Sequence, residues 1–296
     1  MKTIKISGIL TALSPVHHGG NEKTGSTIGF RRIEMITNKG IQEVPYISGN
    51  AIRGRLRRLV MKDFLDLVGY REGQRHRFET ARLYHFFYSG GNLEKVSSKD
   101  SGTLNLEARK TIRYLLPPIS VFGSSFLNQA FTGKLKVMNA FPICKELEGI
   151  TFDPSTVRGA EFSFHELMSD TYQTRKDELR AERDEGEQAQ QMLVEYEVLI
   201  PGTRLTHAFV LEDPTPVEEA FFRRAFRIWE NNCYVGGKSS IGLGALRPDY
   251  DKTALSALGK EETYLRFVEE NQDDILALLQ AIDAQKIDFS SFKKKG

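Results

Sequence analysis

Residues 46–59, YISGNAIRGRLRRL, place four arginines within six positions directly after a Ser-Gly-Asn turn. Ser48 or Asn50 can cap a helix here, because a short polar side chain at the first turn accepts from backbone N–H groups that lack an intrahelical partner. Ile52, Leu56, Leu59, Val60 and Leu67 then recur at helical spacing and define one apolar face. Arg53 and Arg57 flank that face on one side and Arg55 on the other, so the arginines frame a buried stripe while the capped end opens to solvent. A helix start of this kind offers free N–H groups and a favourable dipole to an anion, and arginine forks fit phosphate oxygens. The competing reading is that the arginines run along the helix flanks and pair with acids elsewhere in the chain.

Outward from this helix the pattern alternates between strand and helix. Residues 3–13 read as a strand, followed by SPVHHGGNEKTGS, a loop too glycine-rich and polar to be core. FRRIEMI and IQEVPYI flank TNKG as a hairpin. Residues 70–118 read as an insertion of helical patches around a Gly/Ser-rich loop, closed by Pro117-Pro118, and GKLKVMNAFPI returns to a strand. Residues 170–191 have almost nothing to bury and predict an exposed helix or a protrusion. MLVEYEVL and RLTHAFVL are paired strands joined through IPGT. Thr215-Pro216 with Glu218 makes a capping box that starts a helix carrying Val217, Phe221, Ala225, Ile228 and Trp229 inward. Glycines in VGGKSSIGLGAL stop it before a last strand. A helix over about 262–282 and the KKKG tail read as peripheral. This split order predicts an α+β fold with a ferredoxin-like (RRM-like) core, two helices covering one face of an antiparallel sheet.

The chain has 296 residues, 40% of them hydrophobic, enough for one large domain or two small ones. No apolar run is long enough to span a bilayer. The N-terminal stretch lacks a signal-peptide cleavage pattern, and Cys144 and Cys233 form no CxxC pair, so a reduced, cytoplasmic compartment is expected. Residues 1–62 hold eleven Lys/Arg against three acids, Glu22, Glu34 and Glu43, in a chain of formal net charge +2. That asymmetry favours a polyanionic partner over a uniformly basic surface.

Motifs for small-molecule chemistry do not survive inspection. GGKSSIG lacks the Walker glycine, because Asn232 stands at that position, and the helix-loop-strand order is reversed. What remains is a loop, Gly236, Gly237, Lys238, Ser239 and Ser240, whose backbone and side-chain donors can approach an anion, or which simply ends a helix. Adjacent His17 and His18 converge poorly on one metal and have no carboxylate or thiolate at ligand spacing. Beside a basic surface these imidazoles suit phosphate contact or base stacking. No metal site, cofactor or catalytic Cys-His pair is expected.

In combination the motifs resemble a known family. LSPVHHGG after the first strand, YISGNAIRGRLR at the first helix, VFGSSF…GKLKVMNAF before a central strand, PGTRL, and VGGKSSIGLGAL occur in that order over residues 1–250. Together they resemble the RAMP-superfamily backbone subunit of CRISPR effector complexes, the seventh Cas family, with the type IV subunit nearest and the type III subunit next. The resemblance implies a modified RRM-like palm (1–69, 119–156 and 192–250), an inserted helical finger (70–118), a thumb (157–191) and a C-terminal helical extension (251–296). It implies a guide RNA (crRNA) along His17, His18, Lys23, Ser48, Gly49, Asn50, Arg53, Arg57 and Gly236–Ser240. Its implied partners are further copies in a helical filament, other Cas subunits and a complementary nucleic-acid target, with no membrane. Type III relatives carry a catalytic aspartate between the first strand and first helix, whereas the first aspartate here is Asp63, within the helix. A non-cleaving subunit is therefore expected, with a guide-directed ribonuclease or a precursor-RNA processing endonuclease as the alternatives.

Overall fold

The computed structural model describes residues 2–24, 27–70, 78, 81–91, 106–126, 129–175 and 192–284. In chain order the first elements are β1 (Thr3–Ala12), β2 (Gly19–Thr24), β3 (Thr27–Phe30), β4 (Arg32–Thr37), β5 (Gly40–Pro45) and α1 (Gly49–Leu67). The insertion contributes α2 (Ala81–Tyr84), continued by a π-helical turn His85–Ser89, then α3 (Leu106–Leu115), α4 (Pro117–Phe122), β6 (Ser124–Phe126) and β7 (Gln129–Phe131). Next come β8 (Leu135–Val137), β9 (Phe141–Pro142), β10 (Met168–Arg175), β11 (Met192–Leu199), β12 (Arg204–Glu212) and α5 (Pro216–Asn231). The remaining elements are β13 (Leu246–Tyr250), α6 (Lys252–Ser256), α7 (Glu261–Glu270) and α8 (Gln272–Asp283).

The main sheet runs β13-β1-β12-β8, with β9 also on β12, and every pairing is antiparallel. Taking β8 and β9 as one interrupted strand, its order in chain terms is 4-1-3-2, with α1 and α5 as the two crossovers. This is the expected ferredoxin-like core. Alternation fixes which face is buried: Ile6 and Leu10 of β1 and Leu205, Phe209 and Leu211 of β12 point into the helices. There Phe209 meets Phe222 at 5.9 Å and Trp229 at 6.5 Å, ring centre to ring centre. The other face is covered by the 144–167 segment, where Lys5 Nζ lies 4.4 Å from the Phe152 ring centre and 3.8 Å from Asp153.

A second sheet, β10-β11-β3-β2, stands beside the first, with β11 and β3 parallel. Two expectations are corrected here. The loop over 14–26 contains a strand, β2, and His17 just before it is buried. Nor do β11 and β12 pair: the chain passes from one sheet to the other at Pro201-Gly202. Residues 170–175 form part of strand β10 on β11 rather than a helix or free protrusion, and 176–191 lie outside the described residues.

Other expectations change for reasons of packing. Pro117-Pro118 opens α4 instead of closing a segment, which suits proline at a first helical turn. The finger helices are not separate from the palm, since Phe86, Phe87 and Ile112 share its core. The C-terminal helix is two helices, and they are not peripheral: Tyr264, Ile275, Leu278 and Ile282 are fully buried in that same core. Charge also ties them down. Arg224 of α5 donates Nε and Nη2 to the two oxygens of Asp63 at 2.6 and 2.7 Å, and Nη1 to Glu261 at 2.5 Å. Thr215 and Glu218 form the expected capping box of α5.

Two outcomes test this packing. Arg224→Ala leaves half-buried Asp63 without its cation, while Glu261 keeps Arg227 at 2.7 Å, and should cost about 3 kcal/mol in urea unfolding. The second concerns acid. His207 is buried on β12 with Nδ1 2.7 Å from the Tyr250 hydroxyl, and burial pushes its pKa down to about 3 against the opposing pull of the Met138 backbone. In the unfolded chain the same imidazole takes up a proton near its ordinary value of 6.5. Stability is therefore flat above that pH and falls as pH drops from there towards about 3, because only the unfolded chain binds the proton. His207→Phe should reduce the stability lost between pH 7.5 and pH 5.5 by about 1.4 kcal/mol.

Candidate nucleic-acid interface

Three chain segments meet at one end of the palm. Ser48 caps α1, accepting from the Ala51 N–H at 3.2 Å, and its Oγ lies 3.2 Å from His18 Nε2. The Gly49 N–H donates to Asn139 Oδ1 at 2.8 Å. A Cβ at Gly49 would lie 2.1 Å from the Val137 carbonyl oxygen, so only glycine lets α1 start this close to the end of β8. Asn50 is exposed beside it. The third segment is the glycine loop. Gly236 adopts φ +80°, and a Cβ there would meet the His17 carbonyl oxygen at 2.3 Å. The loop is thereby pressed onto the β1–β2 connection. Gly237, Ser239 and Ser240 stay exposed, with a short 3₁₀ turn at Ser239–Ile241.

The second sheet supplies the floor. His17 Nδ1 lies 2.8 Å from the Glu197 carbonyl, and its ring packs against Tyr196 at 5.0 Å and Phe30 at 6.4 Å. Lys238 Nζ sits 5.0 Å over the same Tyr196 ring, close enough for its charge to meet the negative ring face. Thus β11, the strand leading out of the expected thumb, is packed directly under the ridge. Burial, with Arg31 and His17 nearby, pushes His18 down to about 4. It is therefore a neutral imidazole at pH 7. Glu197 is engaged by Arg32 and by the Phe30 N–H. The Lys23 and Glu22 side chains lie outside the described residues.

The arginine helix divides its cations between two tasks. Arg57 is only 6% exposed. It donates Nη1 to Gly123 O at 2.7 Å, Nη2 to Phe86 O at 2.8 Å, and Nε to Phe87 O. The π-helical turn and the end of α4 leave these carbonyls without helical partners, and the guanidinium fork satisfies them. Arg57 is thus an internal strut and not a solvent-facing anion ligand, contrary to the framing expected from spacing alone. Burial and the neighbouring Arg53 push it down to about 10, so it remains charged. Arg53 is half-buried and donates to Phe122 O. Spacing could not reveal this, because the acceptors on Arg57 are backbone atoms 30 and 66 positions away in the chain.

The structure therefore brings His17, His18, Ser48, Gly49, Asn50 and Gly236–Ser240 onto one ridge. It sets Arg53 at the ridge's flank and Arg57 beneath it. Sequence reading missed Arg31, whose backbone N–H donates to His18 O at 2.8 Å and whose Nε reaches Gly19 O at 3.4 Å. It also missed Tyr196 as the surface on which His17 and Lys238 rest. Among the described residues no group of three or more His, Cys, Asp or Glu side chains is placed to hold a metal ion. No helix among them is long and apolar enough to cross a membrane.

Residues 9–247 match the family model for the RAMP superfamily. The chain belongs to that superfamily. Its fold is similar to that of a solved chain from a "Type IV-B CRISPR Complex", with a TM-score of 0.60, 22% identity, and coverage of 85% of this chain and 92% of that one. No curated protein sequence matches it. For this RAMP chain the internal role of Arg57 gives a direct test. Arg57→Ala should cost about 3 kcal/mol of stability, since it strands the Phe87 and Gly123 carbonyls while Phe86 O keeps Ser124 Oγ, whereas Arg53→Ala should cost about 1 kcal/mol. Urea titration of both variants separates a strut from a surface cation.

Proposed function

We propose that this RAMP protein is a guide-RNA-binding backbone subunit of a type IV-like CRISPR effector complex. Copies line up along one crRNA, hold its phosphates and 2′-hydroxyls, and leave its bases free to pair with a complementary target. The observation that carries this reading is the convergence of three segments, from the β1–β2 connection, the α1 cap and the glycine loop, on one exposed ridge of donors. Asn50, Lys238, Ser239, Ser240, Arg31 and the half-exposed Arg53 are the contacts proposed for the guide, with His18 and Ser48 between them. Arg57 positions the helix from below. The hairpin of β10 and β11, with the residues between them, acts as the thumb that reaches the next subunit. Other Cas subunits complete the assembly.

The same geometry supports binding without cleavage. Of the three acids that precede α1, Glu34 and Glu43 face each other across the β4–β5 hairpin, outside the β1–β2 connection, the α1 cap and the glycine loop. His18, held down to about 4, is far from the near-neutral pKa that suits a general base. Matched, labelled target RNA incubated with the assembled complex and magnesium should stay intact, and regularly spaced cuts that vanish in a Glu22→Gln variant would overturn this part. For binding, the expressed protein should co-purify with RNA of discrete length. Arg53→Glu should weaken binding to all RNA sequences alike, and the log–log salt slope should flatten by roughly 0.7 for each phosphate no longer neutralised. An unchanged slope and affinity would remove Arg53 from the interface.

A further inference from the structure

The β4–β5 hairpin carries a patch that its own chain leaves uncovered. Ile36 and Ile41 stand directly opposite each other and are 77% and 74% exposed. One pleat along on the same face, Glu34 lies directly opposite Glu43. Among the described residues neither carboxylate has an ion-pair or hydrogen-bond partner. Like charges directly across a ladder repel each other, and bare isoleucines at a hairpin tip are what soluble surfaces ordinarily avoid. The tip is nevertheless held firmly. Asn38 Nδ2 donates to the Lys145 and Glu148 carbonyls, each at 3.3 Å, and Lys39 reaches buried Glu146 at 3.1 Å. Glu146 is itself pinned: burial would raise its pKa, yet bonds from Ser163, Lys39 and the Phe164 N–H bring it down to about 2.

A complementary surface exists on the same chain. Arg58 and Lys62, four residues apart on α1, are exposed and face outward together, with half-buried Leu59 and Arg55 beside them. Among the described residues no acid pairs with either cation, and neighbouring Asp63 is held by Arg224. One sequence thus presents an acidic pair with an apolar pair beside it toward the tip of a hairpin, and a basic pair with an apolar edge on a helix. Two different patches that fit each other make a head-to-tail contact, the kind that propagates into an open helical array.

We propose that the Glu34/Glu43 and Ile36/Ile41 face of the β4–β5 hairpin docks on the Arg58/Lys62 side of α1 in the next copy of this chain. The inference rests on the filament reading above and names the surfaces that join its subunits. Docking supplies cations to the opposed glutamates and covers the isoleucines. It also explains why the acid-poor N-terminal segment keeps two of its three glutamates face to face.

The test is a charge exchange in the full-length protein. Glu34→Lys with Glu43→Lys gives one variant, and Arg58→Glu with Lys62→Glu gives the other. Self-association is followed by sedimentation at low salt, with the protein alone and with a mixed-sequence single-stranded RNA of about 30 nucleotides as probe. Each variant alone should need about tenfold more protein to associate, with an unchanged melting temperature. An equimolar mixture of the two should recover association between unlike copies, because the reversed hairpin of one then meets the reversed helix of the other. Ile36→Ser with Ile41→Ser should weaken association without destabilising the monomer. If the mixture stays dissociated while both variants remain folded, the docking proposal is overturned. It is also overturned if the helix variant loses RNA affinity as a single copy yet still associates, since Arg58 and Lys62 then serve RNA. Sedimentation without RNA reads the docking directly, so failure of the wild-type protein to bind the RNA probe would count against guide binding alone.

Discussion

A single buried guanidinium organises the join between palm and insertion. Arg57 sits within α1, and its fork gathers carbonyls from the π-helical turn and from the end of α4. These are segments that the chain reaches only after long excursions. A buried cation with neutral acceptors is costly to remove and costly to leave unfilled, so it specifies one arrangement of the three helices. Because α1 also begins at the ridge, the strut that ties it to the insertion also fixes the helix that carries Ser48 and Asn50. Structure and candidate site therefore share one helix, with its base anchored and its start exposed.

Much of this was legible in the sequence, and the reasons are local. The alternating apolar residues of β1, the strand-like run of β12, the Ser48-or-Asn50 cap and the Thr215–Glu218 box are short-range signals, and the elements lie where these place them, with Ser48 as the cap. The order of strands and helices then leaves little freedom beyond the 4-1-3-2 sheet. The glycines read in the sequence only as an anion loop or a helix stop, whereas Gly49 and Gly236 stand where two backbones approach within a side chain's width.

What the sequence concealed depended on partners far along the chain. Spacing puts Arg53, Arg55, Arg57 and Arg58 around one helix but does not say which of them meets a carbonyl. The β2 strand has too few apolar residues to announce itself, and it exists because β3 offers it a ladder. His17 resembles a loop histidine until β11 supplies Tyr196 and the Glu197 carbonyl around it. The C-terminal helices look detachable by position, yet Tyr264 and Ile282 complete the core and Arg224 binds α7 through charge. In each case a tertiary neighbour overrides a local impression.

The connection at Pro201-Gly202 has a mechanical consequence. It joins β11, which lies under His17 and Lys238, to β12, which is a central strand of the palm. Central strands are the stiffest parts of a sheet, so β12 behaves as an anvil at one end of a short tether. The end of β11 is also bridged to the β1–β2 connection through Val16 and Leu199, so a load on the β10–β11 pair passes into the segment that carries the histidines. The glycine loop, resting on the His17 carbonyl and on Tyr196, shares that mechanical path.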